Sequence, residues 1–331
     1  MDPWTLIAAT GERFSGFAPY AASVSDDGTV AFQAALRGGS TGVFTGGGEA
    51  IAEVAGPILV SGVTSHPDLN EAGAVSFYGG LPDGGQGVFL LQHGRLQTVA
   101  DTGDVFVAIG PAGPTMNDAG MVAFRADRMP GESGIYLGDA AVVTTVADTE
   151  GPWRRFHGLP VIDGSGTVVF RADRKDGVQG VYSGRGGSVR TVAETGGELV
   201  AIAPFPSADD RGSVAFAATL RGGDQAIVTV DEDGTMRIVD TGGAFESYRG
   251  ALITGGGTVV RIATPWDGSL GLFAGPDPEA DRILAVGDPL LGSTVEEFAA
   301  NPVSVNAAGQ VAIRATLEDS RELIVRADPT G

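Results

Sequence analysis

Two histidines, His66 and His157, an arginine, Arg249, and two tyrosines, Tyr20 and Tyr248, recur at comparable places in segments far apart in the chain. Together their side chains could do acid–base work on a small anion. An imidazole moves protons near neutral pH, a guanidinium holds an anion or steadies negative charge as it develops, and a phenol orients the bound molecule. Asn301 falls at the same kind of position and adds a polar group. Phe17, Trp153, Phe156 and Phe205 stand where they could rim these groups, and Arg154 and Arg155 lie in the densest cationic and aromatic cluster of the sequence. A mostly apolar pocket with a few orienting polar groups is the ordinary make-up of a small-molecule site. Each residue also has a purely structural reading. His66 precedes a proline in a surface loop, an arginine of WRRFH can cover an indole, and Tyr248 takes a slot that other segments give to Phe or Ile.

These residues share a place because the chain repeats itself. NEAGAVSF at 70–77 and NDAGMVAF at 117–124 are two copies of one phrase, whose glycine recurs as Gly28, Gly73, Gly120, Gly166, Gly212, Gly257 and Gly309. Successive anchors lie 45, 47, 46, 46, 45 and 52 residues apart, which is the mark of a repeat architecture. Residues 158–196 spell out the unit: GLPVID, TVVFRADR, QGVYSG and SVRTVAETG, separated by short turns. Four β-branched or aromatic runs per repeat predict an all-β, seven-bladed β-propeller of four-stranded antiparallel blades. Residues 1–331 are expected to form a single propeller domain. The last copy supplies PVSVN, QVAIRA and ELIVRA, while PWTLIAATG at the start matches the fourth-strand pattern of RLQTVADTG. The N-terminal strand should therefore complete the last blade and close the ring.

Within this frame Asn/Asp-x-x-Gly is a turn. Its side chain bonds nearby backbone, and its glycine takes the left-handed conformation that closes the hairpin between first and second strands. The Val and Phe two and four places after the glycine share one strand face and should pack between blades. Two copies depart from this pattern, with Ile313 in place of Phe and Arg261 where an apolar residue belongs. A guanidinium there must either reach an edge or meet an acid and mark a site in the sixth blade. Trp266, in the nearby loop TPWDGSL, is also unlike its counterparts.

The pattern resembles the bacterial tandem-repeat proteins described by an N-x-x-G-x-x-x-F signature, and the resemblance covers essentially the whole chain. It implies a propeller and no particular chemistry. The variable segments are the crossings from one repeat to the next, which is where loops on a repeated scaffold carry function. Tyr20, His66, His157, Tyr248, Arg249 and Asn301 lie seven to nine residues before their anchoring glycines, at the entry to the innermost strand. They should converge on the mouth of the central channel.

The formal charge of −20, with Lys175 the single lysine, repels phosphate backbones and anionic membranes. No nucleic-acid or membrane partner is expected. The absence of cysteine excludes disulfides and thiol catalysis. No metal-ligand spacing, EF-hand loop or phosphate-cradling motif occurs, so no cofactor and no metal are expected. GGSTG at 38–42 spells a nucleophile elbow, but it joins two strands and leaves Ser40 without the turn that exposes a reactive hydroxyl. MDPWTLIAATGERF lacks a basic, then apolar leader, so a cytoplasmic location is expected, or a secreted one if a signal peptide has been removed. A monomer is expected, with a homo-oligomer left open. The reading is a small-molecule-binding propeller, leaning to an enzyme that acts on an anionic or aromatic organic substrate through His, Arg and Tyr. The alternative is a non-catalytic scaffold that binds protein or glycan, and a calcium-stabilised scaffold is a third.

Overall fold

The structure, a computed structural model, describes residues 4–56, 60–103, 105–241 and 243–329. Seven antiparallel sheets follow one another along the chain, one for each copy of the repeat. Blade 4 shows the plan, with strands Trp153–Ile162, Val168–Arg174, Gln179–Arg185 and Ser188–Glu194 running outward from the axis. Trp4–Ala9 pairs antiparallel with Glu322–Ala327 and supplies the outer strand of blade 7, so the ring closes as the sequence predicts. In that blade PVSVN is not a strand. Asn301 caps a short 3-10 turn, Pro302–Ser304, and the main inner strand is Ser293–Ala299, paired with Val311–Leu317.

The turn glycines behave as their position requires. All seven anchors have positive φ, from +73° at Gly73 to +88° at Gly166, a conformation that costs glycine least. The Asn side chain does more than close its own hairpin. Oδ1 of Asn117 accepts the Met121 N–H at 3.1 Å, while its Nδ2 donates to the Asp163 carbonyl of the next blade at 3.3 Å. Asn306 does the same across the closure, donating to the Ser25 carbonyl at 2.8 Å. An amide can donate and accept at once, which an ionised aspartate cannot.

Between blades, the Val and Phe of the second strands of blades 1 to 5 are buried as expected, among them Val30, Phe32, Val168 and Phe170. Each Phe packs in a cluster with an alanine from the fourth strand of the preceding blade: Ala8 with Phe32, Ala55 with Phe77, Ala100 with Phe124, Ala147 with Phe170 and Ala193 with Phe216. Blade 6 replaces the Phe by Arg261, and the matching place in blade 5 is Asp240, opposite Ile227. Arg261 Nε lies 2.8 Å from Asp240 Oδ2, with both side chains buried. The two departures from the repeat therefore form one buried ion pair. Replacing such a pair by well-packed apolar residues is commonly neutral or mildly stabilising. The double substitution Arg261→Phe with Asp240→Ala restores the contact of the other blades, and it should leave the unfolding free energy in urea within about 1–2 kcal/mol of the original or above it. A markedly less stable double variant would show that the pair does something an Ala–Phe contact cannot.

Candidate functional site

The densest ionisable group on the crossing face is built by the two inner strands of blade 4. Antiparallel pairing sets Arg155 opposite Asp173, Phe156 opposite Ala172 and His157 opposite Arg171. A register shift between Trp153 and Arg155 interrupts the alternation. Consequently Arg154 and Arg155 are both exposed, while Trp153 and Phe156 on either side are buried. His157 Nε2 lies 2.9 Å from Asp173 Oδ2, and Arg171 Nη1 lies 2.6 Å from Asp173 Oδ1. Arg171 also donates through Nε to the Ile202 carbonyl of blade 5 at 3.2 Å. Arg154 Nη2 stands 3.5 Å from Asp173 Oδ2.

Burial by itself would raise the Asp173 carboxyl, but hydrogen bonds from Arg171 and His157 outweigh it and hold the group below the ordinary carboxylate range. An ionised carboxylate only accepts, so Nε2 of His157 carries the proton and Nδ1 keeps a lone pair. Burial lowers the His157 pKa, and the charges on Arg171 and Arg155 push the same way against the pull of Asp173. The ring, 21% exposed, is thus an oriented, neutral base at pH 7.

The other predicted residues are distributed as follows. His66 is not in a surface loop but buried inside the ring, its Nδ1 3.4 Å from Nδ2 of Asn301 in blade 7. A Cβ on Gly113 of blade 3 would overlap its ring. Tyr20 donates to the Thr64 carbonyl at 2.7 Å, so Tyr20, His66 and Asn301 come together from blades 1, 2 and 7. Arg249 is exposed on blade 6. Tyr248 is a core residue packed against Phe245, with ring centroids 5.5 Å apart. Burial, then the charge of Asp240, raises its hydroxyl pKa.

Phe17 and Phe156 each fill the core of a blade, while Trp153, also buried, lines a cleft with Arg174, Arg190 and Glu194 that His157 does not share. Phe17 lies among Phe14 and Phe32, and Trp153 sits edge-on to Tyr182 at 4.3 Å. Phe205 is exposed beside Gly158. Arg261 is committed to Asp240, and Trp266 is exposed in a separate cleft with Arg282 and Asp288.

Sequence reasoning missed Arg171 and Asp173, although a signal was present. FRADR occurs at 124–128 and again at 170–174. It also passed over the opposite face, where Asp26, Glu71, Asp118 and Asp210 surround a cavity of about 130 Å³ that Asp68 and Asp209 help to line. Three of these acids link neighbouring turns: Asp26 accepts the Ala307 N–H, Glu71 that of Asp26, and Asp118 that of Glu71. Among the described residues no cluster of three or more His, Cys, Asp or Glu is arranged to hold a metal ion. No helix among them is long and apolar enough to cross a membrane.

Comparison with known proteins places this geometry in a wider setting. The profile of a family of unknown function, DUF7453, matches residues 43–323. No curated protein matches the sequence. Among solved structures, an oligogalacturonate lyase in complex with manganese superposes with a TM-score of 0.60 at 11% identity, covering 98% of this chain and 97% of its own. An oligogalacturonate lyase from Vibrio parahaemolyticus gives 0.61 at 10% identity, with the same coverage. A prolyl endopeptidase gives 0.61 at 12% identity, but this chain, 99% covered, spans only 51% of it. At such identities the likeness is one of fold.

Proposed function

We propose that this chain, which belongs to the DUF7453 family of unknown function, binds a small organic anion on its crossing face and moves a proton on it with His157. The observation that supports this reading is the state of His157: neutral, oriented by an ionised Asp173, and set among Arg154, Arg155 and Arg171 in a chain whose net charge is −20. A local excess of guanidinium against such a background draws anions to one face.

The chemistry follows from the atoms. A C–H next to a carboxylate becomes more acidic when cations neutralise the carboxylate. Nδ1 of His157 takes that proton, the electron pair moves onto the carboxylate oxygens as an enediolate, and the nearby guanidinium groups steady the added charge. Asp173 supports the imidazolium so formed and fixes the ring, and Arg171 holds Asp173. Phe205 and Tyr20 offer aromatic surface on the same face. The oligogalacturonate lyases among the structural neighbours are named for a uronate polymer, which makes uronic acids sensible first probes beside aromatic acids.

The test is deuterium incorporation next to the carboxylate, followed by NMR in D2O with a panel of uronic and aromatic acids. Exchange should occur with at least one, and His157→Gln should slow it by about 10²–10⁴-fold, the usual contribution of a positioned base. Because the His157 pKa is lowered, the active neutral form should persist below pH 6.5, so the acid limb should lie on that side. Binding without exchange would make the face a recognition surface. Exchange that His157→Gln leaves untouched would remove the residue from the mechanism.

A further inference from the structure

The two FRADR segments have the same five residues and different fates. In blade 4, Arg171 is buried and tied down, held by Asp173 at 2.6 Å and by the Ile202 carbonyl at 3.2 Å. In blade 3, Arg125 occupies the equivalent place, opposite Ile135 on the second strand Val122–Met129. Its backbone N–H donates to the Tyr78 hydroxyl at 3.3 Å, but its guanidinium makes no hydrogen bond or ion pair among the described residues. Nε is buried without a partner. Asp127 lies close enough to influence Arg125 without bonding it, and Arg155 of blade 4 opposes it with a like charge. Arg155 acts in the same sense on His157. Burial and the neighbouring guanidinium both lower the pKa of Arg125.

A half-buried guanidinium with an orphan donor is a costly arrangement unless an anion partners it. We propose that Arg125 and Arg155, one from blade 3 and one from blade 4, form the seat for the oxyanion group, carboxylate or phosphate, of a small ligand whose remainder extends toward His157. This rests on the reading of the crossing face as an anion site and assigns which guanidinium groups hold the anion. Arg171 is spent on Asp173, and Arg154 leans on the same carboxylate, whereas Arg125 and Arg155 have donors to give. A planar fork presents parallel N–H groups to two oxygens, and Arg155, on the strand that packs against that of Arg125 and two residues from His157, would join the anion seat to the base.

The experiment is calorimetric titration of the full chain with D-galacturonate, benzoate and inorganic phosphate, each to about 10 mM, which detects binding in the millimolar range. At least one probe should bind, and the preference between the carboxylates and phosphate identifies the oxyanion. Arg125→Met and Arg155→Met should each weaken binding by on the order of ten- to a hundred-fold, the worth of hydrogen bonds to a charged group. Arg125→Lys should recover only part of it, since the point charge survives and the fork does not. A second readout needs no variant: the Arg125 Nε–H resonance of the original protein should shift as the probe is added. The seat is refuted if no probe binds, if Arg125→Met binds as the original does, or if that resonance stays still at saturation. Arg125-dependent binding of D-galacturonate, which carries a C–H next to its carboxylate, without His157-dependent exchange would uphold the seat and overturn the proton-transfer reading. Exchange that ignores Arg125 would do the reverse.

Discussion

Removing residues 1–11 should abolish cooperative folding. The strand Trp4–Ala9 makes five register pairs with Glu322–Ala327, and its loss would leave that strand as an unpaired edge open to other chains. Ile7 and Ala8 are buried against Phe32, Phe44, Ala312 and Ile324, at the seam between blades 7 and 1. Withdrawing them forfeits about 2–4 kcal/mol of apolar burial, and the freed backbone bonds cost roughly 1 kcal/mol each. The sum approaches the whole stability of an ordinary domain, about 5–15 kcal/mol. Thr10 and Glu322 add a reciprocal clasp, in which the Thr10 N–H donates to the Glu322 carbonyl at 2.9 Å and the Glu322 N–H to the Thr10 hydroxyl at 3.0 Å. The truncated chain should show no sharp thermal transition and should self-associate, and a synthetic peptide of residues 1–11 added in trans should restore part of the transition. A monomeric truncated form melting near the original temperature would mean the ring is held by its other six seams alone.

The fold was legible because a repeat multiplies weak signals. One such turn glycine is only a turn, but seven at a near-constant spacing can be satisfied only by stacking like sheets, and the fourth-strand spelling of PWTLIAATG completes the count. Individual side chains were less legible. Trp153 and Phe156 read as a rim because they neighbour two arginines, but a register shift that no local composition announces turns them inward. His66 read as exposed because it precedes a proline, yet Gly113 of the next blade leaves a space its ring fills. Arg261 could be recognised as anomalous, while its partner could not be named until the register placed Asp240 where other blades keep alanine. Asp173 escaped notice because a single Asp on a strand looks like a solvated residue. Only the pairing of its strand with that of Arg154 and His157 adds two more cationic or titrating neighbours to Arg171 on its own strand.

The segment that buries His66 just before the inner strand Asp68–Leu69 leads into a buried acid two residues on, and the two should pull the pH dependence of stability in opposite directions. Asp68 Oδ2 accepts the Met116 N–H of blade 3 at 2.7 Å, and burial, with a smaller contribution from Asp210, raises its pKa from 3.8 to about 7. A carboxyl raised on folding stabilises fully below its unfolded value, and that stabilisation is lost as pH rises through the folded one. His66, lowered by burial from 6.5 to about 4, does the reverse: its contribution is intact above 6.5 and is lost as pH falls through 4. Between about pH 4 and 6.5 the slopes oppose, roughly 4 kcal/mol for the acid against 3 for the base at 1.36 kcal/mol for each pKa unit. Asp68→Asn keeps an oxygen for the Met116 N–H and removes the charge. It should match the original protein near pH 4 and exceed it by about 2–4 kcal/mol at pH 8 in urea unfolding, the gap opening as Asp68 would have ionised. A gap that is the same at both pH values would show that Asp68 does not titrate between them. His66→Asn should open a gap of the same sense on the other side, the variant gaining on the original protein as pH falls below 6.5, because it deletes the group whose protonation the folded ring resists.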